Sequence, residues 1–394
     1  MMAKPGVERL KALLKANVEA HRQQLEELSG KIHASPELGF QENRAAGWLK
    51  GYLEENGFSI EPAIYELPTA FRGSYGTGQP AIALLAEYDA LPRLGHACGH
   101  NLIAASAIGA AVAAKAAVDR LGGCVLVLGT PAEELPGGKI IMAERGAFDN
   151  LDVAMMVHPG TQDTATSQTL ACAPLEVEFF GREAHAAARP EAGINALEAM
   201  LLSFAAINSL RQHIKDKARI HGIISDGGQM ANIVPGHSAA SFLVRAQDEA
   251  YLEELKGRVL DCFNGAATAT GARLEYRWGD RAYAPMSNNL TLARLFRANM
   301  KSLGHPMRLY DTSQTLGSTD MGNVSQLVPS IHPFVAIAPE EVVGHSRQFA
   351  EAAASEAGRR AMILAAKALA MTIVDLLASP ETVTRVKSEF SRNK

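Results

Sequence analysis

Cysteine and net charge are both scarce in this chain, and each scarcity excludes a class of protein. Four cysteines occur among 394 residues, at positions 98, 124, 172 and 262, without the spacing of a disulfide framework. We therefore expect a protein of the reducing cytoplasm and not a small disulfide-stabilised one. The net charge of -4 gives no electrostatic reason to expect nucleic acid or an anionic membrane as a partner.

Long apolar runs are also missing. No stretch reaches the roughly 18 uncharged apolar residues of a membrane span, and the first ten residues lack the apolar core of a signal peptide. What the chain has is 47% hydrophobic and 20% charged residues, which is the balance of a soluble globular protein. At this length we expect two domains, because a single hydrophobic core stops growing before it.

Strand-like and helix-like patterns alternate in the first part of the chain, up to about residue 160. Short apolar runs at residues 81–86, 124–128 and 152–157 indicate buried strands, and the segments around them carry apolar residues at helical spacing. This alternation predicts an α/β fold with a doubly wound, mixed but mainly parallel sheet. A helix at 290–303, a buried strand at 331–338 and a long helix at 351–377 would complete that domain.

The pattern changes at about residue 172 to a strand–helix–strand–strand–helix–strand order. This order is typical of a ferredoxin-like α+β domain. The predicted elements cover residues 175–180, 194–210, 218–225, 238–245, 250–267 and 272–278. We therefore expect an inserted domain at 172–284, and a catalytic domain made of 1–171 and 285–394.

Three of the predicted strands end in side chains that bind metal ions. The run 124–128 leads to Glu133 and Glu134, the run 81–86 leads to Cys98 and His100, and the run 152–157 leads to His158. Open α/β folds place their chemistry beyond the carboxyl ends of the strands. Thiolate, imidazole and carboxylate suit zinc, and a carboxylate-rich mixture also admits manganese or cobalt. A lone Cys-x-His pair is more often a buried cysteine beside a loop histidine, so the convergence of all three segments carries the hypothesis.

A series of motifs along nearly the whole chain resembles a known family. The motifs are His33-Ala-Ser-Pro-Glu-Leu-Gly-Phe40, Asp89-Ala-Leu-Pro92, His96-Ala-Cys-Gly-His100, Pro131-Ala-Glu-Glu134, Gly181-Arg-Glu-Ala-His185-Ala-Ala187, Asn232-Ile-Val-Pro235 and His345. They resemble the co-catalytic metal-dependent exopeptidases and amidohydrolases that include the aminoacylases. Within that family they are most similar to the branch of auxin-conjugate hydrolases and p-aminobenzoyl-glutamate hydrolases.

The resemblance implies a metal centre with two divalent ions, zinc or manganese, with cobalt possible in vitro. Glu133 would stay outside the ligand set as the general base, and Asp89 would support the ligands from behind. The ligands implied are Cys98, His100, Glu134, His158 and His345.

A second group of candidate residues lies in the inserted domain. His185 would donate a hydrogen bond to the developing oxyanion. Asn232 and Arg245 would bind the substrate's carboxylate, which arginine can hold with two hydrogen bonds. Relatives donate this histidine across an interface between inserted domains, so the resemblance implies a homodimer or a higher homo-oligomer.

Departures from the pattern of this branch concern two matters: the tuning of the metal ions by the residues around their ligands, and the choice of substrate. Asn101 and Glu87 stand where the branch commonly has aspartate, and residues 317–325 with Ile331-His-Pro-Phe334 resemble dipeptidase-like relatives that act on basic dipeptides. We therefore expect a metal-dependent hydrolase of an N-acyl amino acid, a dipeptide or an aryl amide, all small molecules. The alternatives are an aromatic-amine deaminase on the same scaffold and a non-catalytic metal- or ligand-binding module.

Overall fold

The computed structural model of the protein describes residues 5–134, 136–310 and 317–393. These residues form two compact units. The first unit takes its described residues from 1–168, 286–314 and 319–394, and the second from 169–285 and 315–318. The second unit is therefore inserted into the chain of the first.

The helices and strands are numbered in chain order. The described helices are α1 (Pro5–Ala20), α2 (Arg22–Ala34), α3 (Asn43–Glu55), α4 (His100–Leu121), α5 (Gly138–Glu144), α6 (Ala196–Leu210), α7 (Glu249–Thr270), α8 (Leu290–Ser302), α9 (Met321–Leu327), α10 (Arg347–Ala354), α11 (Glu356–Leu377) and α12 (Pro380–Asn393). The described strands are β1 (Ser59–Pro62), β2 (Phe71–Thr77), β3 (Ala81–Ala86), β4 (Gly123–Gly129), β5 (Val153–Met155), β6 (His158–Gly160), β7 (Ala171–Phe180), β8 (Arg219–Asp226), β9 (His237–Ala246), β10 (Arg273–Trp278), β11 (Ser330–Ile331) and β12 (Phe334–Ala336).

A six-stranded sheet in the order β1-β2-β4-β3-β5-β11 forms the centre of the first unit. β4, β3, β5 and β11 run parallel, and β1 and β2 are antiparallel to their neighbours. Successive side chains of β3 point to opposite faces: Ile82 and Leu84 join one hydrophobic cluster, whereas Ala83 and Leu85 join another. The sheet is therefore buried on both faces, which confirms the predicted doubly wound α/β fold. The carboxyl ends of its parallel strands meet at one edge.

The second unit is a four-stranded antiparallel sheet in the order β10-β7-β9-β8, with α6 and α7 packed on it. Along β9 every second side chain is buried, because the helices cover only one face of the sheet. The strand order and the two helices confirm the predicted ferredoxin-like fold. β8 lies at one edge of the sheet.

Helix α4 is the part of the described chain that comes nearest to a membrane span. It is 22 residues long and apolar, but 89% of its apolar window is buried inside the protein. α11 and α12 are long and apolar enough to cross a membrane only when they are taken together, and the chain bends by 101° between them. α4 is therefore a core helix.

Two elements expected from the sequence are broken in the structure. The predicted strand at 331–338 is two short strands, β11 and β12, in different sheets, because Pro333 has no amide hydrogen to continue a ladder. The predicted helix at 351–377 is interrupted at Ser355, whose hydroxyl accepts a hydrogen bond from Gly358 N and caps a new helix.

Candidate metal centre

The turn after β4 holds Glu133 and Glu134 in fixed positions. Ala132 has a left-handed φ of 58°, which a residue with a side chain keeps only where its surroundings hold it. Two buried carboxylates from other segments do so, since each accepts a backbone N–H of the turn: Glu42 from Ala132 at 2.9 Å and Asp89 from Glu134 at 3.1 Å. A third, Asp320, accepts from Lys139 N at 2.9 Å in the first turn of α5, which follows directly.

Cys98 and His100 are placed by the glycine between them. Gly99 has φ of 82° and precedes the first residue of α4. A Cβ atom at this position would lie 2.5 Å from Cγ of Pro159, so no larger residue fits without a shift. The Cys-Gly-His spacing therefore puts the thiol and the imidazole on the same side of a tight turn beside β6.

The tautomers of two histidines follow from their partners. His100 Nδ1 lies 2.9 Å from the carbonyl oxygen of Asp89 and 3.0 Å from its carboxylate Oδ1, and His158 Nδ1 lies 2.6 Å from the carbonyl of Pro159. Because these oxygens can only accept, both Nδ1 atoms carry the hydrogen. Each Nε2 then presents a lone pair, which is how histidines supported by a carboxylate or a carbonyl bind metal ions.

Five side chains converge on this edge of the sheet. Cys98 Sγ lies 3.4 Å from His158 Nε2, and His345 Nε2 lies 3.2 Å from Glu134 Oε1. Ligand-type atoms lie within 4.8 Å of one another in three overlapping groups: Cys98, His100 and His158; Cys98, Glu134 and His345; His100, Glu133 and Glu134. Cys98 belongs to two of these groups. The structure thus brings together all five ligands expected from the sequence, together with Glu133.

The donors fit a divalent cation. His100 Nε2 is buried and has no hydrogen-bond partner among the described residues. It faces Glu87 Oε2 at 3.4 Å and Glu133 Oε2 at 3.9 Å, so three electron-rich atoms lie opposite one another. A cation stabilises such a group, and thiol, imidazole and carboxylate are the donors that zinc and manganese accept.

Burial and neighbouring charges shift the pKa values of the centre. Burial lowers the pKa of His158 to about 4, so that it is neutral at physiological pH as a ligand must be. Burial, together with Glu87, Asp320 and Glu134, holds the pKa of Glu133 well above its ordinary value. Burial also opposes ionisation of Glu134, but its hydrogen bond with His345 lowers its pKa overall. The two neighbouring glutamates therefore have different electrostatic surroundings.

Several residues of the centre are missed by sequence reasoning. His332 lies between β11 and β12, and the centre of its buried ring is 5.4 Å from that of His158. Lys139 and Asp320 are fully buried, and the Lys139 ammonium pairs with both Asp320 and Glu87. Asp320 belongs to the stretch 317–325 that resembles dipeptidase-like relatives, so the sequence does single out the segment that contains it.

Asn101 has a structural role in the described chain. Its side-chain amide donates to Ser29 Oγ at 2.9 Å and to the Ala353 carbonyl at 3.2 Å. An aspartate could not donate these two bonds, which tie α4 to other helices. The departure at this position therefore concerns helix packing in this protein.

His185, in the second unit, is exposed and has the opposite tautomer. Its Nδ1 accepts backbone N–H groups from Ala187 at 3.3 Å and Ala188 at 3.1 Å. In the neutral ring the hydrogen is therefore on Nε2, which can donate outward. Asn232 lies next to this turn, since its carbonyl accepts from Ala186 N at 3.0 Å.

Arg245 is not near His185 within the second unit. It lies eight residues along β9 from His237, and Asn232 precedes that end of the strand. Eight strand residues span roughly 26 Å. The Arg245 guanidinium donates to Ser318 Oγ at 2.8 Å and lies 3.3 Å from His221 Nε2. The structure thus brings His185 and Asn232 together and leaves Arg245 at the other end of the sheet.

Fold and donor set together define a metal-dependent hydrolase. Residues 83–368 match the model of the Peptidase family M20/M25/M40, and the chain belongs to this family. The resemblance expected from the motifs is confirmed, as is the expectation of an enzyme.

Individual relatives support the same assignment. The chain is 38% identical over 411 residues to the Xaa-Arg dipeptidase of Mus musculus, with 98% of this chain and 95% of the relative covered. It is 34% identical to one of the p-aminobenzoyl-glutamate hydrolase polypeptides of Escherichia coli, over 73% of this chain and 64% of that protein. A dinuclear metal-binding M20 peptidase from Bacillus subtilis shares the fold, with a TM-score of 0.71 at 20% identity over 91% of this chain and 99% of that one.

Proposed function

We propose that the protein is a dipeptidase-like amide hydrolase that uses two divalent ions and Glu133 as the general base. The observation that carries the proposal is the convergence of Cys98, His100, His158, Glu134 and His345 beside a sixth group, Glu133. A metal site that only stabilises the fold has no use for an additional buried carboxylate beside its ligands.

A dipeptide is the substrate class that we favour. The relative named Xaa-Arg dipeptidase matches this chain over nearly its full length. The stretch 317–325, which resembles dipeptidase-like relatives, supplies Asp320 to the start of α5, directly after the turn that holds the two glutamates. N-acyl amino acids and aryl amides such as p-aminobenzoyl-glutamate are the competing substrates.

The chemistry depends on a division of work between the two adjacent glutamates. When bound, the ions would polarise the scissile carbonyl and lower the pKa of a water molecule toward ~7. Glu134 would help to hold them. Glu133 would remove the proton of the attacking water and deliver it to the leaving amine, a role that typically contributes about 100- to 10,000-fold to the rate.

His185 would stabilise the oxyanion from the inserted domain of a second subunit. Its Nε2–H is directed outward because two backbone amides occupy Nδ1. A single small substrate cannot touch both His185 and Arg245 of one chain if these residues lie at opposite ends of a sheet. In a site shared between two subunits, His185 and Asn232 would come from one subunit and Arg245 from the other.

A homodimer through the inserted domain is the corresponding assembly. α6 exposes Leu201 and Leu202 at 45% and 43%, and edge strand β8 exposes Ile223 at 69%. Apolar side chains on an edge strand and on a neighbouring helix suit pairing with a second copy. We also propose a cytoplasmic location, since all four cysteines are free thiols.

A substrate panel tests the proposed activity. Metal-loaded enzyme is assayed with Xaa-Arg dipeptides, neutral dipeptides, N-acyl amino acids and p-aminobenzoyl-glutamate, and both free amino acid and ammonia are measured. We expect amino acid release, fastest with a dipeptide. Ammonia without a new amino group would identify a deaminase instead, and no product from any amide would refute the proposal.

A further inference from the structure

A buried lysine lies among three carboxylates next to the metal centre. Lys139 Nζ lies 2.5 Å from Glu87 Oε1 and 2.7 Å from Asp320 Oδ1. Carboxylate oxygens of Glu87, Glu133 and Asp320 lie within 4.8 Å of one another. Lys139, Glu87 and Asp320 are each 0% exposed. A charged lysine is almost never buried to this degree unless it is paired.

This ion cluster is built from three separate segments of the chain. Glu87 follows β3, Lys139 is the second residue of α5, and Asp320 precedes α9. Two of the departures from the amidohydrolase pattern, Glu87 and the stretch 317–325, therefore meet at a single ammonium group. Both departures thus contribute a carboxylate to one buried ion cluster.

We propose that Lys139 is a positioning residue for the general base Glu133 and acts through Glu87 and Asp320. This inference rests on the proposed function, because it assigns Lys139 to the reaction of the same centre. Lys139 provides the positive charge that lets the carboxylates of Glu87, Glu133 and Asp320 lie this close together.

The contacts show how Lys139 can act on both sides of the centre. Asp320 binds Lys139 twice, through the ammonium and through the backbone N–H at 2.9 Å, and so fixes the start of α5 after the glutamate turn. Glu87 gives one oxygen to Lys139 and turns the other toward His100 Nε2 at 3.4 Å. Without the ammonium, the carboxylates of Glu87 and Asp320 would repel each other and Glu133, because both are fully buried and no solvent screens their charges.

Three variants test the proposal: Lys139→Met, Asp320→Asn and the double variant Lys139→Met/Asp320→Asn. Lys139→Met should lower kcat by about 100-fold, as expected when a reacting group is misplaced by about 1 Å. KM and the number of bound ions per chain should remain unchanged. The double variant should recover at least about tenfold of the lost kcat, because removing both partners of a buried ion pair costs less than removing one.

Lys11→Met is the matched control. Lys11 is also nearly buried, and its ammonium pairs with Asp375 at 2.6 Å and with Asn299 Oδ1 at 2.8 Å, apart from the metal centre. It should lose stability in thermal unfolding but keep its kcat. If Lys139→Met behaved like this control, with lower stability and normal turnover, Lys139 would be only structural and the proposal would be wrong. Loss of bound metal in step with activity would overturn it as well.

The design separates this inference from the proposed function. If Lys139→Met does not fold, Asp320→Asn keeps the lysine paired with Glu87 and should still lower kcat with KM unchanged; an unaltered kcat would contradict the inference. A wild-type enzyme without activity on any amide would refute the proposed function. In that case the ion cluster is still tested by the thermal unfolding of metal-free protein. The double variant should lose less stability than the two single variants added together, and a loss equal to that sum would refute the cluster.

Discussion

At the scale of single residues, the neighbouring glutamates make the sharpest prediction. Glu133→Gln removes the proposed base but keeps the size of the side chain, so we expect turnover to fall by at least about 100-fold. Metal content and folding should stay normal. Glu134→Gln removes a ligand whose Oε1 lies 3.2 Å from His345 Nε2, and we expect it to lose metal. Metal analysis and steady-state kinetics on the same preparations measure both effects. Equal loss of metal in the two variants would show that the roles are assigned wrongly.

The sequence could predict most of the centre's residues but not their support. Cys98, His100 and His158 follow apolar strands, so the rule for open α/β sheets is enough to place them at one edge. Lys139 gives no such signal, because its neighbours along the chain do not reveal that its ammonium is buried. Its partners Glu87 and Asp320 lie 52 and 181 residues away in sequence, and only the fold brings them together.

At the scale of the element, the turn between Cys98 and His100 depends on Gly99. Gly99→Ala combines a left-handed backbone with a Cβ atom 2.5 Å from Pro159 Cγ. We expect a cost of about 1–3 kcal/mol in the free energy of unfolding and a reduced metal affinity. Gly78→Ala is the control, since Gly78 has φ of 88° and a Cβ atom there would meet nothing within 4 Å. It should lose about 1 kcal/mol and keep its metal. Similar metal affinity in the two variants would contradict this account of the turn.

The carboxyl group of Glu42, which holds the turn with Glu133 and Glu134, should make the free energy of unfolding depend on pH. Burial raises the pKa of Glu42 to about 7, from its ordinary value of 4.5. Folded protein therefore keeps a proton that unfolded protein releases, and the resulting stability, complete below pH 4.5, is lost as the pH rises through 7. Glu42→Gln keeps an oxygen for Ala132 N but cannot titrate.

Urea unfolding of metal-free protein across this pH range measures the effect. Wild type should lose about 3 kcal/mol relative to Glu42→Gln between pH 4.5 and a pH above 7. Parallel stability curves for the two proteins would mean that the hydrogen bonds from Thr69 and Ala132 keep Glu42 ionised throughout.

Element types were easier to predict than their interruptions. The helix predicted at 351–377 and the strand predicted at 331–338 have the right residue types, because their apolar residues do line the core. Ser355 breaks the helix by capping a new one, and Pro333 divides the strand between two sheets. Both breaks depend on which partner a backbone group finds in space, and hydrophobic periodicity does not report this.

At the scale of the whole molecule, the shared site predicts complementation between two inactive variants. His185→Ala and Glu133→Gln should each be nearly inactive alone. A mixed dimer would contain one site with both defects and one with neither, so activity should return in one of its two sites. Subunits are exchanged at low concentration, and exchange is followed by a tag on one variant.

The control is a mixture in which both subunits carry Glu133→Gln, one of them also with His185→Ala. It should stay inactive however well the subunits exchange. Activity that fails to return in the first mixture, although mixed dimers are isolated, would place His185 in the site of its own chain or outside the site altogether.

Metal stoichiometry tests the central claim most directly. Wild-type protein is stripped with a chelator, reloaded with zinc, manganese or cobalt, and assayed for amide hydrolysis while the bound metal is quantified. We predict that the stripped protein is inactive, that activity returns with two ions per chain, and that Glu134→Gln fails to recover it. Full amide hydrolysis by protein that contains no more than trace divalent metal would contradict the account.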